Sequence, residues 1–388
     1  TGVVFSFKNV SYSIASKKKN EPDARVLRNV SGSISEGEIL AIVGPSGAGK
    51  TILLDVLTFN KGPGAPSGEI SLNGQKMKRT DFVKSAIYVP REDNLWPTMS
   101  PRQHLEFAFK MYRSDLTTAV SRNKEVDELL NLTGLASCAD TKAGGFLFKG
   151  LSGGQRRRLS LAVALVKQPS VIILDEPTSG LDSAAAAAIL TLLARVARAK
   201  RAAVVCTIHQ PSALVFAGFH KVLVLSGGRV AYCGGRTEMH GYFESIKTLL
   251  SHDANPAEAV LDLVSKETTS EAQVATVLDG WDASSQSKQI ANEASADVTQ
   301  NMTLPERTVQ SSGALSAWHV FARQARLGLV DPLQYVGRLF IIPQLVLFFG
   351  VVYIASRKLN QKQVPFRLFY LWWCLAIPAC MSITTLIG

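Results

Sequence analysis

A run of apolar residues leads directly into a glycine-rich loop at Ile39-Leu40-Ala41-Ile42-Val43-Gly44-Pro45-Ser46-Gly47-Ala48-Gly49-Lys50-Thr51. The apolar half predicts a strand that is covered on both faces of a parallel sheet. The second half has the spacing G-x-x-x-x-G-K-[ST] of a phosphate-binding loop, and residues 51–59 predict a helix after it. Glycines let the backbone N–H groups of such a loop surround phosphate. We therefore expect Lys50 to supply a cation to the terminal phosphates of a nucleotide, and the Thr51 hydroxyl to ligate Mg²⁺.

A second apolar strand ends in two acidic residues. It is Val171-Ile172-Ile173-Leu174, and Asp175 and Glu176 follow it directly. The barrier of phosphoryl transfer is lowered mainly by positioning and by electrostatic stabilisation. We therefore expect Asp175 to hold Mg²⁺, directly or through water, and Glu176 to polarise the attacking water.

Strands and helices alternate further along the chain. The patterns predict a helix at Ser183–Lys200 and a strand at Ala203–Ile208. A hairpin at Ser226-Gly227-Gly228 joins Val222–Leu225 to Arg229–Tyr232. Buried strands that alternate with helices indicate an α/β fold with a mostly parallel sheet covered on both faces.

A short motif between the loop and the acidic strand points to one family. It is Leu151-Ser152-Gly153-Gly154-Gln155, and Asp175-Glu176-Pro177-Thr178-Ser179-Gly180-Leu181-Asp182 and His209 come after it. In order and spacing, residues 3–265 resemble the nucleotide-binding domain of an ABC ATPase. The resemblance implies a P-loop NTPase with a mostly parallel sheet, an antiparallel β part and a helical subdomain. It also implies two such domains that close head to tail over two ATP molecules.

The same resemblance assigns a role to each motif residue. Residues 152–154 would start a helix whose N–H groups bind the γ-phosphate of ATP on the opposite domain. His209 would contact the γ-phosphate, and Asp182 would help to join the two halves. The residues implied for ATP are Gly44, Pro45, Ser46, Gly47, Ala48, Gly49, Lys50, Thr51, Ile14, Ser152, Gly153, Gly154, Gln155 and Asp182, those for Mg²⁺ are Thr51 and Asp175, and those for catalysis are Glu176 and His209.

Two positions depart from the family pattern. Ile14 stands where the family has an aromatic residue that stacks on adenine, so adenine would be held by apolar contact, helped by Tyr12. The stretch Tyr88-Val89-Pro90-Arg91-Glu92-Asp93-Asn94-Leu95 resembles the Q-loop, but Arg91 replaces the glutamine that ligates Mg²⁺. A guanidinium group cannot ligate a cation. Three interpretations stay open: Arg91 swings out to pair with an acid while Glu92 approaches the metal, it binds phosphate in a slow enzyme, or it marks a degenerate site. We favour an active enzyme, because the other motif residues are present.

Three further stretches resemble the G subfamily of ABC transporters. They are Arg156-Arg157-Arg158, Thr207-Ile208-His209-Gln210-Pro211-Ser212 and Asn255-Pro256-Ala257-Glu258. In that subfamily the nucleotide-binding domain precedes the membrane domain, as the apolar C-terminal part of this chain suggests. Members are mostly half-size transporters with six spans that dimerise, or double-length chains. The arginine run either makes a specific partner contact or forms a solvated helix face.

The C-terminal third changes in composition. We predict a nucleotide-binding domain at 1–265, a polar linker at 266–313 and an amphipathic connecting helix at 314–338, which lies on a membrane or is an ordinary half-buried helix. Within residues 339–388, the uncharged and largely apolar stretches Leu339–Ala355 and Leu368–Gly388 predict the first two transmembrane helices of a membrane domain. The chain starts without Met and stops at Gly388 inside an apolar run. We therefore expect it to be a piece of a longer, multi-pass membrane protein whose ATP-binding domain lies in the cytosol.

Composition narrows the partners without identifying them. The formal charge of +11 indicates an anionic partner, which is a nucleotide, a nucleic acid or a lipid surface. The five cysteines are scattered and include no CxxC pair, so we expect neither a disulfide framework nor a zinc site. The start of the chain has no basic and apolar signal segment.

The expected function is ATP-driven export of a hydrophobic or amphipathic substrate, such as a lipid, a sterol or a drug-like compound. The resemblance implies a second ABC half in a homo- or heterodimer, with ATP and Mg²⁺ as ligands and membrane lipid around the spans. One alternative is a catalytically weak regulatory half of a heterodimer, which only Arg91 supports. Another is a soluble ABC ATPase that acts on nucleic acid or ribosomes. The single phosphate-binding loop and the apolar residues 339–388 argue against that alternative.

Overall fold

The computed structural model describes residues 3–15, 23–60, 62–113, 115, 118–145, 149–246, 255–294 and 313–330, together with Pro343, Gln344 and Leu347. The described strands are β1 (Val4–Ile14), β2 (Ala24–Ser35), β3 (Ile39–Val43), β4 (Ala65–Leu72), β5 (Gln75–Lys76), β6 (Ala86–Val89), β7 (Val171–Leu174), β8 (Ala203–Thr207), β9 (Lys221–Ser226) and β10 (Arg229–Gly235).

The helices lie between and after these strands. They are α1 (Lys50–Leu57), α2 (Arg79–Ser85), α3 (Pro101–Tyr112), α4 (Ala119–Leu132), a 3₁₀ turn (Ala136–Cys138), α5 (Gly153–Leu165), α6 (Ser183–Lys200), α7 (Ala213–Ala217), α8 (Met239–Ser245), α9 (Pro256–Val264), α10 (Glu271–Ala283), α11 (Ser285–Glu293) and α12 (Gly313–Val330).

The larger sheet has six strands in the order β10-β9-β3-β8-β7-β6. Strands β3, β8, β7, β6 and β9 run parallel, and β10 pairs antiparallel with β9. Every residue of β3, β7 and β8 is buried, as their apolar sequences require of strands covered on both faces. The predicted α/β fold with a mostly parallel sheet is confirmed.

The register of the parallel strands brings their carboxyl ends together. Ile42 lies opposite Thr207, and Leu174 lies opposite both Val89 and Cys206. The residues that follow these strands therefore emerge at one edge of the sheet, where open α/β sheets bind their ligands. The phosphate-binding loop follows β3, the acidic pair follows β7, and His209 follows β8.

The smaller sheet is antiparallel, in the order β2-β1-β4-β5. Several of its apolar side chains, among them Phe5, Phe7 and Leu27, are fully buried in the same hydrophobic core as the larger sheet. Helices α3 and α4 pack against each other and against α5. These features agree with the antiparallel part and the helical subdomain that the resemblance implies.

Residues 266–313 were predicted as a polar linker, and their described part is different. Helices α10 and α11 occupy residues 271–293, and Trp281 is buried against Tyr232 of β10 and Tyr242 of α8. The first compact unit of the chain correspondingly runs to Gln310, beyond the predicted boundary at residue 265. The physical reason is an apolar stripe within α10 that the polar composition of the segment conceals.

The second compact unit begins at Ser311 and contains α12. This helix covers most of the stretch predicted as an amphipathic connecting helix, and it exposes Trp318 and Phe321. The two transmembrane helices predicted at 339–388 lie outside the described residues, apart from Pro343, Gln344 and Leu347. Within the described ranges, no helix combines the length and the apolar character that crossing a bilayer requires.

Candidate nucleotide-binding and catalytic site

The phosphate-binding loop connects β3 to α1 through backbone conformations that favour glycine. Gly47 has φ +73° and Gly49 has φ +101°, both in the left-handed region that residues with a Cβ rarely adopt. Gly44 is required for a different reason. A Cβ placed on it would lie 2.3 Å from the backbone oxygen of Leu225. The loop is therefore compact, and it ends where α1 begins, so that N–H groups of the first helical turn point toward the loop.

Lys50 is held inside this loop. Its side chain is buried, and its Nζ donates hydrogen bonds to the carbonyl oxygens of Gly44, at 2.6 Å, and Pro45, at 3.0 Å. Burial lowers the pKa of Lys50, while the negative charges of Glu176 and Asp175 oppose that shift. The ammonium group is thus within the electrostatic reach of both acidic residues that follow β7.

The acidic pair is fixed by a threonine on the neighbouring strand. The Thr207 hydroxyl donates to Asp175 Oδ1 at 2.6 Å and accepts from the backbone N–H of Glu176 at 2.9 Å. Thr207 was not predicted as a site residue, although it ends β8 at the edge where the ligand is expected.

Tyr88 of β6 is a further neighbour of Asp175. Burial, followed by the nearby charge of Asp175, raises the pKa of Tyr88 to about 12, so this phenol stays protonated.

Glu176 makes its contacts from an unusual backbone position. Its φ is +42°, and its side chain is 17% exposed. Arg91 Nη1 lies 3.2 Å from Glu176 Oε2, and Arg91 Nη2 donates to the Ser179 hydroxyl at 2.9 Å. Arg91 therefore does pair with an acid, but this acid is the expected catalytic residue and the guanidinium lies at the site. This geometry does not agree with the interpretation in which Arg91 swings out of the site to pair with an acid elsewhere.

Arg157 of α5 forms hydrogen bonds with the segments that follow β6 and β7. Its guanidinium donates to the carbonyl oxygen of Pro90 at 2.6 Å, to that of Asp175 at 2.9 Å and to that of Pro177 at 3.3 Å. It also forms an ion pair with Asp93, at 3.2 Å. Of the two interpretations of the arginine run, the solvated helix face is therefore wrong for Arg157, which is buried.

The Ser-Gly-Gly segment forms the exposed start of α5. Ser152 is the N-cap residue, because its hydroxyl accepts from the Gln155 N–H at 3.3 Å while the Gln155 side chain accepts from the Ser152 N–H at 2.9 Å. Ser152 and Gly153 are exposed. Asp182 caps α6 in the same way by accepting from the Ala185 N–H at 2.7 Å. The capping box leaves the positive end of the α5 dipole facing outward.

One cavity of about 570 Å³ unites the expected catalytic groups. Ser46 of the loop, Arg91, Glu176, Ser179 and His209 all line it, whereas Ser152 and Asp182 lie outside its lining. The structure thus brings the phosphate-binding loop, the acid and the histidine together. Asp182 itself stands between two lining residues, Leu181 and Ser183.

The residues expected near adenine have mainly structural contacts. Ile14 is partly buried and packs on the hydrophobic core. Tyr12 is buried, and its hydroxyl accepts a hydrogen bond from the Gly64 N–H at 2.8 Å. Its ring therefore supports the turn before β4, and an adenine contact stays a prediction for Ile14.

The donors available for a metal ion are oxygen atoms. Thr51 is exposed at the start of α1, and Asp175 presents a carboxylate held by Thr207. Across the described part of the chain, no three His, Cys, Asp or Glu side chains gather into a metal-holding group. One hydroxyl and one carboxylate fit Mg²⁺, which keeps several waters and takes further oxygens from phosphate.

Comparisons with known proteins agree with this geometry. Residues 27–179 match the family model described as ABC transporter. The chain is 34% identical to ABC transporter G family member 22 of Dictyostelium discoideum, over 95% of this chain and 61% of that protein. It is 32% identical to ABC transporter G family member 21 of Arabidopsis thaliana, over 96% and 60% of the two chains. It is also 32% identical to the broad substrate specificity ATP-binding cassette transporter ABCG2 of Bos taurus, over 80% and 47%. The chain thus spans no more than 61% of the length of these three relatives.

Proposed function

This chain belongs to the ABC transporter G family, and we propose that it hydrolyses ATP to drive transmembrane export of a hydrophobic or amphipathic substrate. The observation that carries the proposal is the cavity in which the phosphate-binding loop, Glu176 and His209 meet. In phosphoryl transfer the attacking and leaving oxygens lie roughly in line at the γ-phosphorus. The acid that polarises the water and the loop that binds the phosphates must therefore face each other across the γ-phosphate. The class of substrate rests on the family resemblance alone, and the name of the Bos taurus relative adds only that this relative has a broad substrate specificity.

Each group has a defined task in this reaction. Lys50 and the loop N–H groups bind the β- and γ-phosphates, and Thr51 and Asp175 would hold Mg²⁺. When bound, Mg²⁺ neutralises charge that develops on the phosphate oxygens. Glu176 polarises a water whose oxygen attacks the γ-phosphorus as the bond to the bridging oxygen of ADP breaks. His209, which lines the same cavity as Glu176, would donate to the γ-phosphate. Phosphate and ADP are the products.

Transport requires a second copy of the domain or a related half. Supporting this, Ser152 and Gly153 are exposed at the positive end of the 13-residue helix α5, outside the cavity that contains Glu176. The free N–H groups and the dipole at this helix end would bind the γ-phosphate of ATP on a facing domain. ATP would then hold two domains together, and its hydrolysis would release them. We propose that this cycle shifts the membrane domain between two states.

The experiment is Mg²⁺-dependent ATP hydrolysis by the full-length protein in lipid, measured beside its Glu176→Gln variant. We expect the parent to turn over ATP and the variant to bind ATP without releasing phosphate, because the amide cannot accept the proton of the attacking water. A parent no faster than the variant would contradict the proposal. It would favour a second candidate, a regulatory half that binds ATP without hydrolysis, which the Arg91–Glu176 ion pair supports.

A further inference from the structure

The cation at the Q-loop position engages one carboxylate oxygen of the expected catalytic base, Glu176. Arg91 Nη1 lies 3.2 Å from Glu176 Oε2, and Nη2 is bonded to Ser179. A carboxylate that is paired with a guanidinium has its charge compensated and one oxygen engaged. In this arrangement Glu176 is poorly placed to accept a hydrogen bond from an attacking water.

We propose that Arg91 is a γ-phosphate ligand and that ATP draws it away from Glu176, so that nucleotide binding itself frees the base. This inference rests on the proposed function and adds to it a phosphate-binding residue and a step in which ATP binding releases the catalytic base. The relevant ligand chemistry is a terminal phosphate with three oxygens, which ATP has at the γ-position and ADP lacks there.

The exchange is electrostatically favourable. A terminal phosphate carries nearly two negative charges at neutral pH, against one on a carboxylate, and it offers a guanidinium two parallel acceptors. Arg91 and Glu176 line the same cavity as Ser46 of the phosphate-binding loop. The phosphate therefore competes with Glu176 for the guanidinium inside one cavity.

The main chain at Arg91 is held while its side chain has room to turn. Arg157 Nη1 donates to the carbonyl oxygens of Pro90 and Arg91, at 2.6 Å and 3.3 Å. The Arg91 side chain itself is 60% exposed, whereas Glu176 is 17% exposed. A rotation of the long arginine side chain about this fixed backbone exchanges its partner without moving the loop.

Nucleotide affinity in the absence of metal separates this role from catalysis. We would measure the Kd of ATP and of ADP for the full-length protein in lipid, in EDTA, so that neither hydrolysis nor metal ligation by a replacement side chain contributes. The variants are Arg91→Gln, Glu176→Gln and the double variant, and the matched control is Arg198→Gln at the exposed end of α6. In the Glu176→Gln background, we expect Arg91→Gln to weaken ATP binding by about tenfold and to leave ADP binding unchanged. We expect Arg198→Gln to change neither.

The double variant tests the exchange of partners. Glu176→Gln should tighten ATP binding more in the parent protein than in the Arg91→Gln variant, because only the arginine has to leave Glu176. Equal tightening in both, or equal weakening of ATP and ADP by Arg91→Gln, would overturn the proposal. Failure of the proposed function has a different result. In that case the Mg²⁺-dependent assay shows no hydrolysis, while the preference of Arg91 for ATP over ADP in EDTA is unaffected.

Discussion

At the scale of single residues, Arg157 holds the site together through several hydrogen bonds and an ion pair. Its buried guanidinium donates hydrogen bonds to the carbonyl oxygens of residues 90, 175 and 177 and forms an ion pair with Asp93. We expect Arg157→Met to lower the free energy of unfolding by about 3–5 kcal/mol, because Asp93 and several carbonyl groups lose their donor inside the protein. Calorimetric unfolding measures the loss. Arg156→Met, which changes the neighbouring arginine, is the matched control and should cost little. Equal losses in the two variants would contradict the role of Arg157.

The sequence around Arg157 contains a signal for this burial. Arg157 is followed at helical spacing by Leu161 and Ala164, which are also buried, so it lies on the apolar face of α5. The run of three arginines conceals that face, because charge alone favours solvent. The chemistry of Arg91 was less predictable. That its position replaces a glutamine could be inferred from the motif, but its partner Glu176 follows a different strand, β7, and only the folded sheet places the two side chains together.

His104 provides a prediction about pH. A backbone N–H can only donate, so His104 Nε2 accepts from the Trp96 N–H at 3.0 Å, and the proton on Nδ1 is donated to the Ser100 carbonyl oxygen at 2.9 Å. Burial lowers the pKa of His104 below its ordinary value. The unfolded chain therefore binds a proton first as the pH falls, and stability present above pH about 6.5 is lost below it.

The measurement is the unfolding temperature at pH about 8 and about 5.5. We expect the parent to lose more stability between these two values than His104→Gln, whose side chain does not titrate. Some loss should persist in the variant, because burial also lowers the pKa of His220. An equal loss in the parent and the variant would show that the pKa of His104 is the same in the folded and the unfolded chain.

At the scale of elements, the N-terminus of α5 combines a structural and a proposed functional role. Ser152 caps the helix by accepting from the Gln155 N–H. Ser270 caps α10 in the same way, by accepting from the Gln273 N–H at 3.4 Å. We expect Ser152→Ala and Ser270→Ala each to cost roughly 1 kcal/mol of stability. Only Ser152→Ala should reduce ATP hydrolysis, because only that helix end is proposed to bind a partner's γ-phosphate. If both variants kept full hydrolysis, capping would be the sole role of Ser152.

The buried elements were predicted closely, and the reason is physical. Strands Ile39–Val43 and Val171–Leu174 and helix Ser183–Lys200 have the bounds that the sequence predicts. Each is a continuous apolar run or a strongly helical segment with a polar or glycine boundary, so local sequence and tertiary burial favour the same structure. Strand β8 ends at Thr207 rather than at the predicted Ile208. Thr207, the last residue of the strand, forms hydrogen bonds with Asp175 and with the backbone N–H of Glu176.

At the scale of the whole molecule, the domain boundary was the weakest part of the prediction. The segment at 266–313 is polar on average, and we interpreted its composition as a linker. Within it, Val274, Val277, Leu278 and Trp281 repeat at helical spacing and are buried. Average composition hides such a stripe, because the exposed face of an amphipathic helix supplies most of its residues. Arg229 of β10, which bonds both Asp279 and Asp282, fixes the same helix from its polar side.

Trp281 therefore tests how far the nucleotide-binding unit extends. Its ring is 3% exposed and contacts Tyr232 and Tyr242, with ring centroids 5.7 Å and 5.3 Å away. Trp281→Ala leaves a cavity against β10, and we expect it to lower the free energy of unfolding by about 3–5 kcal/mol. Val120, 81% exposed on α4, gives the control, since Val120→Ala should change stability by no more than about 0.5 kcal/mol.

Calorimetry of the full-length protein in lipid, with and without ATP, would show which unit the tryptophan supports. If α10 belongs to the nucleotide-binding unit, Trp281→Ala lowers the unfolding transition that ATP raises, because a ligand stabilises only the unit that binds it. If α10 were a linker, that transition would be unchanged in Trp281→Ala. The segment would then add no stability to the site, and the unit would end where the composition changes, near residue 265.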